Sequence, residues 1–215
     1  MSTAETVSPD SAVVLHDIPW ATYVALRDMP ENGNLRMTYD HGELEIMSPS
    51  PLHEGIAALL GTLIDIWTME LNIGRKSCRT MTIRRAKLKR GFEPDNCYYV
   101  QNEPRVWDKT ELDFKVDPPP DLAIEVETSR SAVRKMKIYA AFGIPELWRF
   151  TGRELQVYEL SAEGTYIPRE TSICFPHFPI ARAQEILLQL GSVREVALIR
   201  SFRDWVRENV PSGDS

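Results

Sequence analysis

The stretch PPPDLAIEVETSR at residues 118–130 reads as a buried β-strand that also carries charge. Successive side chains of a strand point to opposite faces of the sheet. One face takes the apolar side chains of Leu122, Ile124 and Val126. The other face takes three carboxylates, those of Asp121, Glu125 and Glu127. Burying carboxylates together is unfavourable unless a positive group neutralises them, so the pattern predicts a central strand whose polar face meets a cation.

The composition is typical of a single globular domain. The chain has 215 residues, of which 43% are hydrophobic and 26% are charged. No apolar run approaches the roughly 20 residues that cross a bilayer, and the N-terminus lacks the regions of a secretory signal. Three cysteines without a CxxC pair suggest neither a zinc site nor a disulfide framework, so we expect a cytoplasmic protein. The net charge of −6 argues against a protein that coats nucleic acid, but an enzyme with a local basic path stays open.

Hydrophobic periodicity predicts a mixed fold in which strands alternate with helices. Ser50 and Pro51 precede apolar residues at helical spacing up to Trp67, which is typical of a capped helix. The elements that we predict are helices over 19–29, 50–72 and 131–142, strands over 78–90, 93–101 and 121–127, and hairpins over 35–49 and 146–160.

We therefore predict an α/β (mixed α+β) domain over residues 13–180 with a central mixed sheet flanked by helices. The ends, residues 1–12 and 211–215, are predicted to be disordered. Residues 181–210 form two amphipathic helices. They either pack on the domain or form the interface of a homodimer, and the pattern does not choose between these arrangements.

The residues needed for metal-assisted hydrolysis of a phosphodiester occur in order along these elements. Asp95 begins one strand, Glu125 lies in the next, and the following helix supplies Lys135 and Lys137. Mg²⁺ binds carboxylate oxygens together with water and substrate phosphate, and it generates the attacking hydroxide. A nearby lysine stabilises charge in the transition state. The two lysines lie about 200° apart around a helix, so only one of them can easily face the site.

Three segments together carry a resemblance to a known family: GFEPDNCYYV (91–100), PPPDLAIEVETS (118–129) and RKMKIYAAFGIPELWRF (134–150). They resemble the Uma-two family of restriction endonucleases, within the PD-(D/E)XK nuclease superfamily. The motifs PD and EV are short, and the specificity comes from their order and from the spacing KxxxYxxxGxPExW behind them. The resemblance runs from about residue 18 to about residue 180.

The resemblance implies a restriction-endonuclease-like core that hydrolyses DNA with Mg²⁺ or Mn²⁺. Asp95 matches the aspartate of the PD element, and Glu125 matches the acidic residue of (D/E)XK. Lys135 matches the lysine, moved to the following helix, because Glu127 stands where the superfamily pattern has lysine. His53 matches a histidine at the start of the long helix and is a further candidate for catalysis.

Asp95 and Glu125 are the predicted metal ligands, with Asp121 and the carbonyl of Val126 as additional candidates. Simpler interpretations stay open. Asp95, which follows a proline, could be only a strand-start or turn residue. Glu125 could form only an ion pair with Lys135 or an arginine, and Asp121 could be exposed at the start of its strand. Glu127 could pair with Arg130 or Arg134. His53 could be a helix-start residue that donates to a loop carbonyl.

The basic segment RKSCRTMTIRRAKLKR (75–90) contains eight cationic residues and no acidic one. It is either a solvated strand face or a path for a phosphate backbone. We predict that Arg79, Arg84, Arg85 and Lys87 contact DNA. The alternative function is a catalytically silent nuclease fold that binds nucleic acid or another protein, which the lysine-to-glutamate departure and the net negative charge favour.

Overall fold

A computed structural model of the chain describes residues 10–127 and 135–210, which form two β-sheets and five α-helices. The strands of the first sheet are β1 (Ser11–Leu15), β2 (Arg36–Asp40), β3 (Glu43–Ser48), β5 (Ile83–Arg85) and β6 (Arg90–Phe92). They are antiparallel, in the order β1-β3-β2-β6-β5. The turn between β2 and β3 places His41 and Gly42 at positive φ, as tight hairpin turns require.

The second sheet is mixed. Its strands are β4 (Lys76–Ser77), β7 (Asn96–Tyr99), β8 (Leu122–Val126), β9 (Glu146–Phe150), β10 (Leu155–Leu160) and β11 (Tyr166–Arg169). The order is β11-β10-β9-β8-β7-β4, and only the pairing of β8 with β9 is parallel. The predicted central strand therefore lies inside a sheet, with β7 antiparallel on one side and β9 parallel on the other.

The helices are α1 (Trp20–Arg27), α2 (Pro51–Glu70), α3 (Lys135–Phe142), α4 (Ile180–Leu187) and α5 (Glu195–Asn209). Short 3₁₀ turns cover Pro30–Asn32, Ala86–Leu88 and Glu103–Arg105. The capping predicted for α2 is present, because Ser50 Oγ accepts a hydrogen bond from the His53 N–H at 3.2 Å. The predicted start of α3, near residue 131, lies outside the described residues, and Gly143 follows its end at a φ of 73°.

The two faces of β8 meet different layers, as its alternation predicts. Leu122, Ile124 and Val126 are buried in the main core with α2, α4 and α5. Ala123 is buried on the opposite face, in a second cluster that includes Tyr139 of α3. A third cluster holds α1 against the first sheet. Glu125 therefore points to the side of the sheet that α3 covers.

Two details of the sequence prediction are wrong. The basic segment predicted as one strand over 78–90 forms two strands, β5 and β6, around a 3₁₀ turn, with Lys89 in the left-handed region. Residues 10–12 are ordered, since β1 pairs with β3 from Ser11 onward. The rest of the N-terminal segment and residues 211–215, which were also predicted to be disordered, lie outside the described residues.

The helices of segment 181–210 pack on the domain within the same chain. Leu187 of α4, together with Leu198, Phe202 and Val206 of α5, is buried in the main core against α2. Val196, by contrast, is 55% exposed. No helix in the described part of the chain has the length and hydropathy needed to span a membrane.

A close contact between Gly91 of β6 and Tyr23 of α1 gives a test of how α1 packs on the first sheet. A Cβ atom at Gly91 would lie 2.2 Å from the Tyr23 hydroxyl oxygen, and the ring is fully buried. Overpacking of this kind costs about 1–3 kcal/mol. We expect Gly91→Ala to lower the thermal unfolding midpoint by several degrees, at about 2–4 °C per kcal/mol for a chain of this size.

Gly74→Ala is the matched control for that experiment. Its added Cβ would meet its nearest neighbour, the Glu103 carboxylate, at an ordinary 3.6 Å. Differential scanning calorimetry of both variants would show whether only Gly91→Ala is destabilised. Equal midpoints would contradict the packing of α1 against β6.

Candidate active site

Asp95 and Glu125 are brought together by the pairing of β7 with β8. Asn96 pairs with Ile124, so Asp95 and Glu125 are the next residues along the two antiparallel strands. The backbone confirms this approach, since the Asp95 N–H donates to the Ile124 carbonyl at 3.1 Å. The Asp95 carboxylate also accepts from the Val126 N–H at 2.7 Å. Both residues are almost inaccessible to solvent, with 7% of Asp95 and 2% of Glu125 exposed.

The Glu125 carboxylate is held by two residues on one face of α3. Lys135 Nζ donates to Glu125 Oε2 at 2.9 Å, and the Tyr139 hydroxyl donates to Oε1. Residues four apart lie on the same face of a helix, which is why both side chains reach one carboxylate. Lys137 is exposed instead. The sequence left the choice between the two lysines open, and the structure places Lys135 at the site.

A histidine from α2 contacts Asp95, and Asp10 in turn contacts that histidine. His53, in the first turn of α2, has its Nε2 2.9 Å from Asp95 Oδ1 and its Nδ1 3.1 Å from Asp10 Oδ2. Asp10 also accepts from the Ser50 N–H at 2.8 Å, beside the N-terminus of α2. A carboxylate is favourable there because the helix dipole is positive at that end. The imidazole therefore bridges two buried carboxylates, instead of donating to a loop carbonyl.

Burial and charge set the protonation of these groups. Burial raises the pKa of Glu125 to about 7, since Lys135 and Tyr139 lower it only in part and the nearby Asp95 charge raises it further. For His53, burial alone would lower the pKa, but Asp95 and Asp10 outweigh burial and raise it to about 9. Burial also opposes the charge of Lys135, yet the carboxylates around it raise its pKa above the ordinary value. His53 and Lys135 are therefore cations at neutral pH.

Two acidic residues near this site were not predicted from the sequence. Glu45, on β3 of the first sheet, is 3% exposed, and its charge contributes to the raised pKa of Lys135. The segment GELEIM alternates charged and apolar residues, which is the signature of a strand with one solvated face, so nothing indicated that Glu45 is buried. Asp10 lies in a Ser/Pro-rich end that was predicted to be disordered, and no sequence signal marked its contact with His53.

The structure places Asp121 apart from the other carboxylates. It lies four residues before Glu125, or about 13 Å along an extended strand. Its carboxylate accepts from the backbone N–H groups of Val100 and Asn102, at 2.8 and 2.9 Å. These bonds fix the loop after β7. Only 3% of Asp121 is accessible, so it is not exposed at the strand start, and its role as an additional metal ligand stays a prediction.

Glu127 pairs with an arginine that the sequence analysis did not consider. Arg149 of β9 donates to both Glu127 oxygens, at 2.8 and 2.5 Å. The pairings suggested from the sequence, with Arg130 or Arg134, lie outside the described residues. At the position where the superfamily pattern has lysine, the structure therefore has a bidentate ion pair.

The predicted DNA-contacting residues lie on and around β5. Arg79 and Lys87 are exposed, and Arg84 forms an ion pair with Asp28 at 2.7 Å. The Arg85 guanidinium lies 5.3 Å from the centre of the Phe142 ring, at the end of α3. Arg84, Arg85 and Lys87 border a cleft of about 740 Å³. Arg79 is not among the residues that border it.

The donor set at Asp95 and Glu125 fits a hard divalent cation. Within the described residues, each carboxylate oxygen accepts one hydrogen bond, and a carboxylate oxygen has lone pairs for two. Within residues 10–127 and 135–210, no group of three or more His, Cys, Asp or Glu side chains is arranged to hold a metal ion. Mg²⁺ does not need such a cage, because it commonly binds one or two carboxylates and completes its shell with water and phosphate.

Comparison with known protein families gives a match over most of the chain. The family model Uma2, described as "Putative restriction endonuclease", matches residues 20–190. The matched region starts with α1 and ends beyond α4, so it includes His53, Asp95, Glu125 and Lys135 and excludes Asp10. No curated protein matches the chain.

The bridging position of His53 predicts its titration. In wild type we expect the imidazole to stay protonated through neutral pH and to lose its proton near pH 9. Asp10→Asn removes one of the two carboxylates and is expected to lower this pKa by about one unit or more. The pH titration of the His53 ring, followed by NMR, measures both values.

Asp204→Asn, on the exposed surface of α5, is the control for the lost charge. The contribution of His53 to the free energy of unfolding depends on pH through the same titration. Because its folded pKa is raised, the contribution is complete below the unfolded pKa of 6.5 and disappears as the pH rises through about 9. An Asp10→Asn titration identical to wild type would rule out the bridge.

Proposed function

Because the chain belongs to the Uma2 family, as its motifs predicted, we propose that it is a divalent-metal-dependent endonuclease that hydrolyses DNA phosphodiester bonds. The fold agrees with this family, since the structure is a mixed α+β domain consistent with a restriction-endonuclease-like core. Families of this kind generally use divalent metals. Mg²⁺ is the proposed cofactor, with Mn²⁺ as its substitute, and DNA is the proposed substrate.

The observation that carries the proposal is the meeting of two buried carboxylates and one buried ammonium. Asp95 raises the pKa of Glu125, which means that the two negative charges repel each other across β7 and β8. A divalent cation bound to both would remove this repulsion and favour the ionised form of Glu125. Asp95 and Glu125 are therefore the proposed metal ligands, with the Val126 carbonyl as a third oxygen.

When bound, the metal ion supplies a hydroxide from water and stabilises negative charge on the phosphate. Lys135 has a different role. Its raised pKa keeps it protonated, so it acts as a hydrogen-bond donor and a positive charge rather than as a base. Its ammonium lies 2.9 Å from Glu125 Oε2, one of the oxygens proposed to bind the metal. From there it would orient the attacking water or neutralise charge that develops on the phosphate.

His53 fixes the orientation of Asp95. One Asp95 oxygen lies 2.9 Å from the imidazole and the other accepts from the Val126 N–H, so the carboxylate has little freedom to rotate. His53 is therefore a positioning residue that acts on the metal through Asp95.

The same contacts favour a second candidate function. All four oxygens of Asp95 and Glu125 already accept a hydrogen bond within the chain. Such a network would also stabilise a catalytically silent fold that binds nucleic acid or protein without cleaving. The ion pair of Glu127 with Arg149 at the usual lysine position supports this alternative.

Cleavage assays separate the two candidates. We expect wild type to nick or linearise plasmid DNA with Mg²⁺ or Mn²⁺ and to be inactive in EDTA. Glu125→Gln and Asp95→Asn keep the shape of each side chain and remove its charge, so cleavage should fall by at least about 100-fold. Agarose gels of supercoiled plasmid over time give the rates. Binding of DNA without cleavage by wild type would favour the silent module, and full activity in both variants would exclude the proposed site.

The two lysines of α3 allow a matched comparison. We expect Lys135→Met to reduce turnover by about 100-fold or more, because it removes a charge from the reaction centre. Metal binding should be largely retained, since Asp95 and Glu125 remain. Lys137→Met, two residues away and exposed, should cleave like wild type. Single-turnover rates together with Mn²⁺ titration calorimetry measure both properties, and a normal rate for Lys135→Met would transfer the role to Lys137.

A further inference from the structure

A basic cleft lies at the far end of α3 from the carboxylates. It has a volume of about 740 Å³, within the range of clefts that take small ligands. The 3₁₀ turn after β5 forms one wall, and residues 112–115, from the long connection between β7 and β8, form another. None of the residues proposed above for catalysis lines it.

The cleft is positively charged. Its cations are Arg84, Arg85, Lys87 and Lys115, against the carboxylates of Asp28 and Asp113. Arg84 is neutralised by Asp28, to which it donates twice, at 2.7 and 3.1 Å. The other three cations form no ion pair with any residue that the structure describes. An anion is therefore the ligand that this charge distribution favours.

One of these cations is held rigidly. The Arg85 guanidinium lies 5.3 Å from the centre of the Phe142 ring, within the range of a cation–π contact. Its Nε is buried, and no hydrogen-bond acceptor among the described residues reaches it. Lys87 and Lys115 are exposed at the cleft. A guanidinium against an aromatic ring, with two exposed ammonium groups at the same cleft, is a suitable set for phosphate oxygens.

The cleft also has an apolar wall. Leu112 and Phe114 line it, and each is only partly buried. The Phe114 ring packs on the cluster around α3 and so has a supported position. An aromatic ring beside unpaired cations provides stacking for a base and charge for its phosphate. A simple inorganic anion would use the cations and leave the ring without a contact.

We propose that this cleft binds one unpaired nucleotide of a DNA strand, with the base against Phe114 and its phosphate between Lys87 and Lys115. A base inside a helical stack cannot enter a cleft, so the nucleotide must be single-stranded or flipped. The cleft therefore gives the protein a preference for single-stranded or unpaired DNA over a fully paired duplex.

The helix α3 relates this cleft to the proposed reaction centre, and this step rests on the proposed function. Lys135 and Phe142 are seven residues apart, which corresponds to about 10 Å along the helix. An unpaired strand can extend further per nucleotide than the about 3.4 Å by which a strand of B-form DNA advances. The nucleotide in the cleft would then lie about three positions or fewer from the scissile phosphate on the same strand.

Fluorescence anisotropy without divalent cations tests the cleft separately from cleavage. The probe is a fluorescein-labelled oligothymidylate in EDTA, free or paired with its complement. We expect wild type to bind the single strand more tightly than the duplex. Phe114→Leu should weaken single-strand binding by about five-fold or more, because stacking on an aromatic ring is lost, and leave duplex binding unchanged.

The lysines test the phosphate contact. Lys87→Ala and Lys115→Ala should each lower the slope of log affinity against log salt concentration by about 0.7 for the single strand. Arg203→Ala, on the exposed side of α5, removes one positive charge elsewhere and should bind like wild type. Thermal unfolding of each variant confirms that it is folded, and Phe114→Tyr, which keeps an aromatic ring, should retain affinity.

The proposal is overturned if wild type binds no single strand, or if Phe114→Leu and both lysine variants bind it like wild type. Competition by polyphosphate as effective as competition by the oligonucleotide would reduce the cleft to a plain anion site and also overturn it. Failure of the nuclease proposal gives a different result. Wild type would then bind through the cleft in EDTA but cleave nothing when Mg²⁺ or Mn²⁺ is added.

Discussion

The buried carboxylate of Glu125 is the constraint on which the rest of the structure depends. It lies in the interior of a sheet, where an unpaired negative charge is strongly unfavourable. The groups that neutralise it come from the crossover connection that a parallel pair of strands requires in any case. This crossover includes α3, whose Lys135 and Tyr139 both donate to Glu125. The pairing of β8 with β9 and the neutralisation of Glu125 are thus provided by one segment.

A second carboxylate beside the first makes this arrangement more than structural. Lys135 would be sufficient to neutralise Glu125 alone, yet β7 brings Asp95 to the same place. The repulsion between them is offset partly by His53, which is itself held by Asp10 from the N-terminal segment. Side chains from five parts of the chain lie within a few ångströms of their neighbours here. They come from the residue before β1, from α2, from the residue before β7, from β8 and from α3. A core built only for stability would have apolar residues here, since replacing buried charges by apolar groups is often neutral or stabilising. The convergence therefore supports a functional site.

The sequence predicted those features of the site that depend on residues close together in the chain. The alternation in 122–126, the cap at Ser50 and the four-residue spacing of Lys135 and Tyr139 are short-range features, and the structure contains each of them. It could not predict partners that approach through tertiary folding. Asp10 is distant in sequence from His53, and Glu45 lies on a strand whose alternation indicates a solvated face. Asp121 shows the same limit. Its face of β8 was predicted from the alternation, but its hydrogen-bond partners lie in the loop after β7, which the local pattern does not position.

Glu127 stands where the superfamily pattern has lysine, and the neighbouring strand gives a physical explanation for this. Glu125 pairs in register with Arg149 of β9, and Arg149 reaches along the sheet to both oxygens of Glu127. A lysine at position 127 would lie beside this guanidinium and be repelled by it. With arginine at 149 paired to Glu127, the positive charge beside Glu125 has to come from elsewhere, and Lys135 on α3 supplies it. The glutamate at 127, the arginine at 149 and the lysine on the helix therefore form one coupled set. It keeps a cation beside Glu125 although the usual position for that cation carries the opposite charge.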